Sequence, residues 1–266
     1  MSLTVEEIAI VKSTVSLLEA GGVQLTTHFY QSLSSNVSVV RSFFNQSHQQ
    51  GEHSQPRALA FSVLCVAKHI DQLSELLASS EGSQLIQTIV QKHLAVQVLP
   101  EHYPVVGKYL LQAMREVLGP EIATDAVLAA WGKAYGVLAD LLIQTEEQGY
   151  HTIETTPGGW RGKRPFTVSK RAFANEKKDV VSFYPTPVDK QQIFIPKAGQ
   201  YLTLRLEDKE HNINTTRNYS LSDLVQQDAD TYRITVKFSD NGHASKYLAE
   251  NVFEGSTLQV HAPCGE

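Results

Sequence analysis

The segment IVQKHLAVQVLPEHY, residues 89–103, places a histidine, His93, within an apolar helical stripe. Leu85, Ile89 and His93 are spaced by four residues, so they share one face of a helix. Two interpretations of His93 follow. It is either a buried neutral histidine bonded to the backbone, or an axial ligand to haem iron, which requires a neutral imidazole that projects into an apolar pocket. Features elsewhere in the chain must decide between them.

Composition limits the class of protein. The chain has 266 residues, of which 42% are hydrophobic and 19% charged, enough for two domains with buried cores. A net charge of -5 gives no indication of a nucleic-acid partner. Cys65 and Cys264 lie far apart without zinc-type spacing, so we expect reduced thiols. The acidic amino terminus and the lack of an uninterrupted apolar run predict neither signal peptide nor transmembrane segment, and hence a cytoplasmic protein.

The first 149 residues have the periodicity of helices, without strand patterns. Thr4 and Glu7 form a capping-box pattern that predicts a helix start, and Gly21-Gly22 predict the end of that helix. Apolar periodicity predicts further helices over residues 23–33, 58–77, 82–98, 103–118 and 121–148.

The pattern changes after Tyr150. The stretch HTIETTPGGWRGKRP is rich in Gly, Thr and Pro, which predicts a linker over residues 150–160. Short β-branched and aromatic runs follow, separated by turn residues, as in an antiparallel barrel or sandwich. The predicted strands are PFTVSKRAF, DVVSFYPTPV, YLTLRLED, RNYSLSD, YRITVKFSD and STLQVHAPC, with one short helix over residues 244–251.

The order of motifs in the helical half resembles the globins, and specifically the globin module of the flavohaemoglobins. The motifs are HFYQSL, RSFFNQS, SQPRAL, QKHLAVQVLPEHY and AWGKAYGVLADLLIQTEE. The resemblance continues through AGQYLTL and RNYSL to HAPCGE at the end of the chain. It implies an α+β protein of two domains: an all-α globin domain over residues 1–149 and an antiparallel β-barrel FAD-binding domain of the ferredoxin-reductase type over residues 161–266.

On one side of the haem, the resemblance implies that His93 is the iron ligand. It places Tyr103 and Glu146 next to the His93 imidazole, on the side that faces away from the iron. A carboxylate that accepts the Nδ1 proton gives the imidazole more electron density, which favours activation of oxygen over simple carriage. Tyr103 would hold Glu146 in place. Without the resemblance, Glu146 is a solvated acid near a helix end and Tyr103 a turn aromatic.

On the opposite side, the resemblance places Tyr30 as a hydrogen-bond donor to oxygen and Gln55 as a second donor. Leu59 would shape the pocket, and Phe44 would stack on the porphyrin. Taken alone, the two aromatic residues are ordinary helix or core residues. Gln55 precedes a proline, which places it at a helix boundary.

The motif RNYSL resembles the Arg-x-Tyr-Ser signature of ferredoxin-reductase-like flavin domains. Arg217 can pair with the pyrophosphate of FAD, Tyr219 can lie against the flavin, and Ser220 can hydrogen-bond its ring edge, with Asn218 between them. The alternative is a strand with alternating aromatic and polar residues.

Two further residues of this half are implied to touch FAD. Tyr201 in AGQYLTL aligns with an aromatic that stacks on the flavin. In NGHASKYL, the residues from Gly242 to Ser245 open a helix whose N–H groups could bind phosphate.

The resemblance implies a nitric oxide dioxygenase with haem b and FAD, which uses O2 and nitric oxide to form nitrate. Electrons would come from NAD(P)H, and FAD would divide the hydride pair into single electrons. No G-x-G-x-x-G occurs, so these residues do not support direct binding of NAD(P)H. The resemblance implies a nicotinamide-binding reductase module that is missing or separate. The chain is then either a fragment of a longer enzyme, which we favour, or a natural short form that relies on another reductant. The alternatives are a non-enzymatic haem protein that carries or senses O2 or nitric oxide, and a flavoprotein whose helical domain lacks haem.

Overall fold

A computed structural model of the chain describes residues 3–37, 42–44, 55–72, 75, 79–226, 229–239 and 242–265. Parts of the quoted motifs and of the predicted helix over residues 58–77 lie outside these ranges. The chain divides into two compact units. The first contains Met1–Gln87 and Leu99–Thr145, and the second contains Thr88–Val98 and Glu146–Glu266.

Helices make up the described part of the first half of the chain. They are α1 (Val5–Ser13), α2 (Val15–Asn36), α3 (Gln55–Lys68), α4 (Ser80–Val96), α5 (His102–Leu118) and α6 (Asp125–Thr155). The predicted capping box is confirmed, because the Glu7 N–H donates to Thr4 Oγ1 over 3.2 Å and the Thr4 N–H donates to Glu7 Oε2 over 2.9 Å. The core of the first unit is apolar side chains of these helices, Phe29, Met114 and Trp131 among them.

The prediction that Gly21-Gly22 end the first helix is wrong. The chain bends by 61° at Thr14 instead, and α2 runs without a break through both glycines. Gly22 is buried, and a Cβ there would lie 3.6 Å from the Cβ of Ala60 on α3. The hydroxyl of Thr26 donates to the Pro56 carbonyl over 2.7 Å. Packing of α2 on α3 therefore offsets the low helix propensity of glycine.

The predicted linker is wrong in its first six residues, because α6 continues to Thr155. Threonine is uncommon within helices, but here the hydroxyls of Thr152, Thr155 and Thr156 each donate to the carbonyl four residues earlier. The helix ends before Pro157 and Gly158, and Gly158 adopts a φ of 76°. Local hydroxyl bonds thus allow the helix to continue through residues whose composition predicts a linker.

Helix α6 is long and apolar enough to pass a simple test for a membrane span, although Lys133 and Asp140 interrupt its apolar residues, as expected from the sequence. An 18-residue window of α6 has a mean hydropathy of 1.5, and α1 with α2 would pass the same test as one bent span. Length and composition alone decide this test. In the structure, Ala130, Trp131 and Ala134 of α6 lie in the core of the first unit, and core helices of globular proteins often have this composition.

The second half contains the predicted antiparallel barrel. Its strands are β1 (Arg164–Phe173), β2 (Val180–Pro187), β3 (Tyr201–Asp208), β4 (Ile213–Ser220), β5 (Ile234–Lys237) and β6 (Thr257–Cys264), with α7 (His243–Asn251) before β6. The strand order is β4-β3-β6-β1-β2-β5, and a bridge between Leu221 and Ile234 brings the two edges together. The bounds of β3 match the prediction. β4 begins four residues before the predicted RNYSLSD strand, because its first half is mostly polar.

Candidate functional site

His93 and Glu146 form a close pair within the second unit. The Nδ1 atom of His93 lies 2.6 Å from Oε1 of Glu146. The Glu146 side chain is 3% exposed and the imidazole 32% exposed. A carboxylate only accepts, so Nδ1 carries the proton that it donates to Glu146. A metal would then be bound through Nε2, which is the arrangement expected of a histidine ligand supported by a carboxylate.

The end of α4 fixes the position of His93. The Val98 N–H donates to the His93 carbonyl over 3.0 Å, and the Gln97 N–H donates to the Leu94 carbonyl over 3.2 Å. These two bonds define a Schellman motif, in which Gln97 has a φ of 63°. The Gln97 side chain stabilises this turn by accepting from the Gly162 N–H over 3.1 Å. His93 therefore lies in the last turn of a capped helix.

Helix α6 packs closely against this turn. A Cβ at Gly149 would lie 2.6 Å from Cδ1 of Leu94, so the Leu94 side chain packs directly over this glycine and would have to shift to admit a methyl group. The hydroxyl of Tyr150 donates to the Val98 carbonyl over 2.8 Å. Burial raises the pKa of Tyr150, which keeps this hydroxyl protonated.

Sequence reasoning missed two residues that hold α4 to the last strand. The buried imidazole of His261 donates from Nδ1 to the Ala95 carbonyl over 2.8 Å. The Gly265 N–H donates to Oε1 of Gln91 over 3.1 Å. No local pattern marks these contacts, because the partners are 166 and 174 positions apart in the chain.

The residues predicted for the oxygen-binding side come together in part within the first unit. The rings of Tyr30 and Phe44 meet edge to face, with centroids 5.0 Å apart. Both pack on the core of this unit, as does Leu59. Burial raises the pKa of Tyr30, so its hydroxyl remains a hydrogen-bond donor at ordinary pH. Gln55 is the first described residue of α3, and its predicted role as a second donor stays a prediction.

Tyr103 is buried near the start of α5 in the first unit. Its carbonyl accepts from the Tyr135 hydroxyl over 2.7 Å. A Cβ at Gly107 would lie 2.6 Å from a ring carbon of Tyr135, so glycine gives this ring its space. The proposed support of Glu146 by Tyr103 stays a prediction.

The residues predicted to bind flavin occupy adjacent strands, β3 and β4. Tyr201 pairs with Ser220 in the ladder, and Thr203 pairs with Asn218, whose Oδ1 accepts from the Thr203 hydroxyl over 3.0 Å. Alternation along β4 places Arg217 and Tyr219 on the opposite face from Asn218 and Ser220. The motif thus presents two chemically different faces.

Arg217 and Tyr219 have the properties expected at an anion and ring site. Desolvation lowers the pKa of the Arg217 guanidinium, a cost that a bound phosphate would offset. Burial raises the pKa of Tyr219 to about 12, and burial does the same for Tyr201, also to about 12. These two phenols therefore stay neutral, as aromatic contacts to a flavin require.

Ser245 lies in the first turn of α7. Its hydroxyl donates to the Gly242 carbonyl over 3.0 Å, and Gly242 as N-cap offers no side-chain cap to the helix. Binding of phosphate at this helix end stays a prediction.

The described residues contain no group of three or more His, Cys, Asp or Glu side chains that could hold a metal ion. A site built from several protein ligands is therefore not found in that part of the chain. Haem iron needs one or two protein ligands, because the porphyrin supplies the rest. The His93 and Glu146 pair fits such an iron.

Two family models match the chain. The model described as Globin matches residues 27–142, and the model described as Oxidoreductase FAD-binding domain matches residues 166–266. Together they cover the two halves that differ in secondary structure.

Curated relatives match almost the whole chain. The flavohemoprotein of Burkholderia sp. (strain TH2) is 50% identical over 264 residues, and that of Pseudomonas putida is 48% identical over 264 residues. In both cases the match covers 99% of this chain and 64% of the relative. The chain thus spans less than two thirds of the length of these relatives.

Solved structures also resemble the chain, two of which show its fold. The flavohemoglobin of Malassezia yamatoensis, determined with bound FAD and heme, covers 100% of this chain with a TM-score of 0.78. The match covers 65% of that structure at 23% identity, so it shows a shared fold. A bacterial globin from Campylobacter jejuni is 34% identical, with a TM-score of 0.50, over 56% of this chain and 99% of its own.

Proposed function

The chain belongs to the flavohemoprotein family, and on that premise we propose that it binds haem and FAD and oxidises nitric oxide to nitrate. One nitric oxide, one O2 and one electron give one nitrate ion. The buried carboxylate of Glu146, 2.6 Å from Nδ1 of His93, is the observation that carries this proposal. A simple oxygen carrier has little use for such a carboxylate, since it makes the iron ligand more electron-donating.

His93 would hold haem iron through Nε2, while Phe44 and Leu59 would pack against the porphyrin. When bound, haem supplies an O2-binding iron with one-electron redox chemistry, and FAD supplies conversion of two-electron to one-electron transfer. Glu146 accepts a hydrogen bond from the Nδ1–H group of His93 and so fixes the orientation of the imidazole. Tyr103 would support this carboxylate.

On the oxygen side, the Tyr30 hydroxyl would donate a hydrogen bond to the ligand, and Gln55 would supply a second donor. The raised pKa of Tyr30 supports this role, because the phenol keeps its proton.

In the barrel, Arg217 would bind the pyrophosphate of FAD as a charge-assisted donor. Tyr201 and Tyr219 would lie against the flavin. Asn218, Ser220 and the first turn of α7 with Ser245 would supply polar contacts. The neighbouring strand positions of Tyr201 and Ser220 support a shared site for this group.

NAD(P)H is the proposed electron donor, through a nicotinamide-binding reductase module. The chain spans 64% of the length of its curated relatives, and its 16 glycines form no G-x-G-x-x-G. We further propose a cytoplasmic location, supported by Cys65 and Cys264, which are free thiols.

The cofactor assignment is tested by reconstituting the purified 266-residue chain with haem and FAD and recording its absorption spectrum. We expect a Soret band and a flavin band. His93→Ala should weaken or abolish haem binding, while His151→Ala, which removes an exposed histidine of α6, should not. Unchanged haem affinity in His93→Ala would overturn the ligand assignment.

A further inference from the structure

The last strand of the barrel is bonded to the helix that carries His93. His261 on β6 is 3% exposed, and its Nδ1 lies 2.8 Å from the Ala95 carbonyl oxygen. A carbonyl only accepts, so the proton must be on Nδ1 of His261. The contact is within the second unit, and both of its atoms are buried.

The end of α4 needs this donor. The last four carbonyls of a helix have no partner within the helix. In α4, the carbonyls of His93 and Leu94 accept from the Schellman turn, and the Ala95 carbonyl accepts from His261. Leaving a buried carbonyl without a donor is costly. His261 therefore caps one of the terminal carbonyls of the turn that contains His93.

A second bond lies one turn earlier on the same helix. Oε1 of Gln91 accepts from the Gly265 N–H over 3.1 Å. The two bonds to β6 and its end thus lie two residues before and two residues after His93. A helix segment bonded on both sides of one residue has little freedom to shift or rotate there.

The same strand is paired with β3, which carries Tyr201. Cys264 of β6 pairs with Tyr201, and His261 pairs with Thr203. Gly265 has a φ of 111°, and a Cβ there would lie 2.9 Å from Cε1 of Tyr201. An unbroken series of contacts therefore links Tyr201 to the His93 turn. Tyr201 pairs with β6, and β6 is hydrogen-bonded to the helix that carries His93.

We propose that His261 is a positioning residue. It holds the helix turn that contains His93 at a fixed distance from β3, the strand that carries the proposed flavin contact Tyr201. This inference rests on the proposed function. Electron tunnelling rates fall steeply with distance, so a fixed spacing would keep transfer from flavin to haem fast and uniform. His261 acts through the Ala95 carbonyl and would touch neither cofactor.

Two variants separate a positioning role from mere packing. In His261→Asn, the amide Nδ2 is the same number of bonds from Cα as Nδ1 of histidine and keeps a donor for Ala95. His261→Leu has the same branch point but no donor. Backbone hydrogen exchange would be measured by mass spectrometry on the purified 266-residue chain, with α2 (Val15–Asn36) as the internal reference.

We expect His261→Leu to speed exchange in residues 88–98 by about tenfold or more, as expected when a buried acceptor loses its donor. His261→Asn should restore most of the protection, and α2 should exchange at the same rate in all three proteins. Equal protection of residues 88–98 in His261→Leu and the unchanged chain would overturn the positioning role.

The functional readout is the rate of haem reduction after photoreduction of FAD in the loaded proteins, at matched haem and FAD content. We expect a slower rate in His261→Leu and recovery in His261→Asn. The same rate in all three would also overturn the inference. If the protein without any substitution takes up neither cofactor, the proposed function is contradicted. The hydrogen-exchange measurement needs no cofactor, so it still tests the positioning role of His261.

Discussion

The imidazole Nδ1 of His93 lies 2.6 Å from Oε1 of Glu146, although 53 positions separate the two residues. The neighbouring Glu147 is exposed and pairs with Arg161 over 2.6 Å. Consecutive residues of a helix point about 100° apart, so only one of two adjacent glutamates can face α4. Glu146 therefore contacts the proposed iron ligand, and Glu147 lies at the surface, where it can serve as a control for substitutions of Glu146.

Glu146→Gln should reduce the turnover of nitric oxide by roughly 10- to 100-fold in the haem-loaded protein. The amide cannot accept the Nδ1 proton with the strength of a carboxylate, so the imidazole becomes a weaker electron donor. The iron–histidine stretching frequency, measured by resonance Raman spectroscopy, should fall. Glu147→Gln should leave both values near those of the unchanged chain. An unchanged frequency in Glu146→Gln would contradict the proposed role of the carboxylate.

Gly149→Ala should destabilise the protein by roughly 1–3 kcal/mol, because the new methyl group would overlap Leu94. Gly136 lies in the same helix, and no described atom beyond its own helical backbone lies within 4 Å of the place that a Cβ would take. Gly136→Ala should therefore stabilise the protein by roughly 0.5–1 kcal/mol. Urea unfolding measures both changes. The same sign for the two substitutions would show that α4 and α6 do not approach as described.

Stability should fall as pH drops from about 7.5 to about 5.5, in part because of His261. Desolvation lowers the pKa of His261 and outweighs the hydrogen bond to the Ala95 carbonyl, which raises it; the positive charges of Lys163 and Arg205 lower it further. As pH falls through the ordinary histidine value of about 6.5, the unfolded chain takes up a proton that the folded chain refuses. The folded state then loses at most about 1.4 kcal/mol per pH unit from this residue.

His261→Asn should flatten this dependence, measured by urea unfolding at several pH values, because the amide does not titrate. Desolvation also lowers the pKa of His102, which therefore contributes to both proteins alike. A pH dependence that is identical in His261→Asn and the unchanged chain would argue against a buried neutral His261.

Arg217→Gln should weaken FAD binding by about tenfold or more, since a charge-assisted hydrogen bond is worth roughly 1.5–3 kcal/mol. Arg233→Gln is the matched control, because Arg233 lies in the same barrel and pairs with Asp223 over 3.4 Å. Titration of the cofactor-free chain with FAD, followed by flavin fluorescence, measures both affinities. Equal FAD affinities of Arg217→Gln and Arg233→Gln would contradict the assignment of Arg217 to the flavin site.

Local signals predicted much of the fold. The capping box at Thr4, the bounds of β3 and the short helix α7 depend on neighbouring residues, and the structure confirms them. Gly21 and Gly22 gave a wrong helix end because the helix that contains them packs against another helix, with Ala60 next to Gly22, and no local pattern reports that packing. The threonines after Tyr150 led to a linker prediction that begins too early. Their hydroxyls can donate to carbonyls within a helix, so they do not have to end it.

The candidate site was less accessible to sequence reasoning. The helical stripe identified His93 as inward-facing, but its partner Glu146 followed only from the family resemblance. The cap at Gln97 carries neither glycine nor asparagine, so no turn signal marked it. The bond from His261 to Ala95 joins residues 166 positions apart, and no periodicity reports such a contact.

Stopped-flow addition of nitric oxide to the purified chain, after loading with haem, reduction with dithionite, desalting and oxygenation, tests the proposed dioxygenase chemistry. We predict a haem Soret band, rapid conversion of the oxygenated form to ferric haem, and one nitrate for each nitric oxide consumed. A stable oxygenated form that reacts slowly with nitric oxide would contradict the dioxygenase and favour a carrier or sensor. The lack of a Soret band after loading would contradict the assignment of His93.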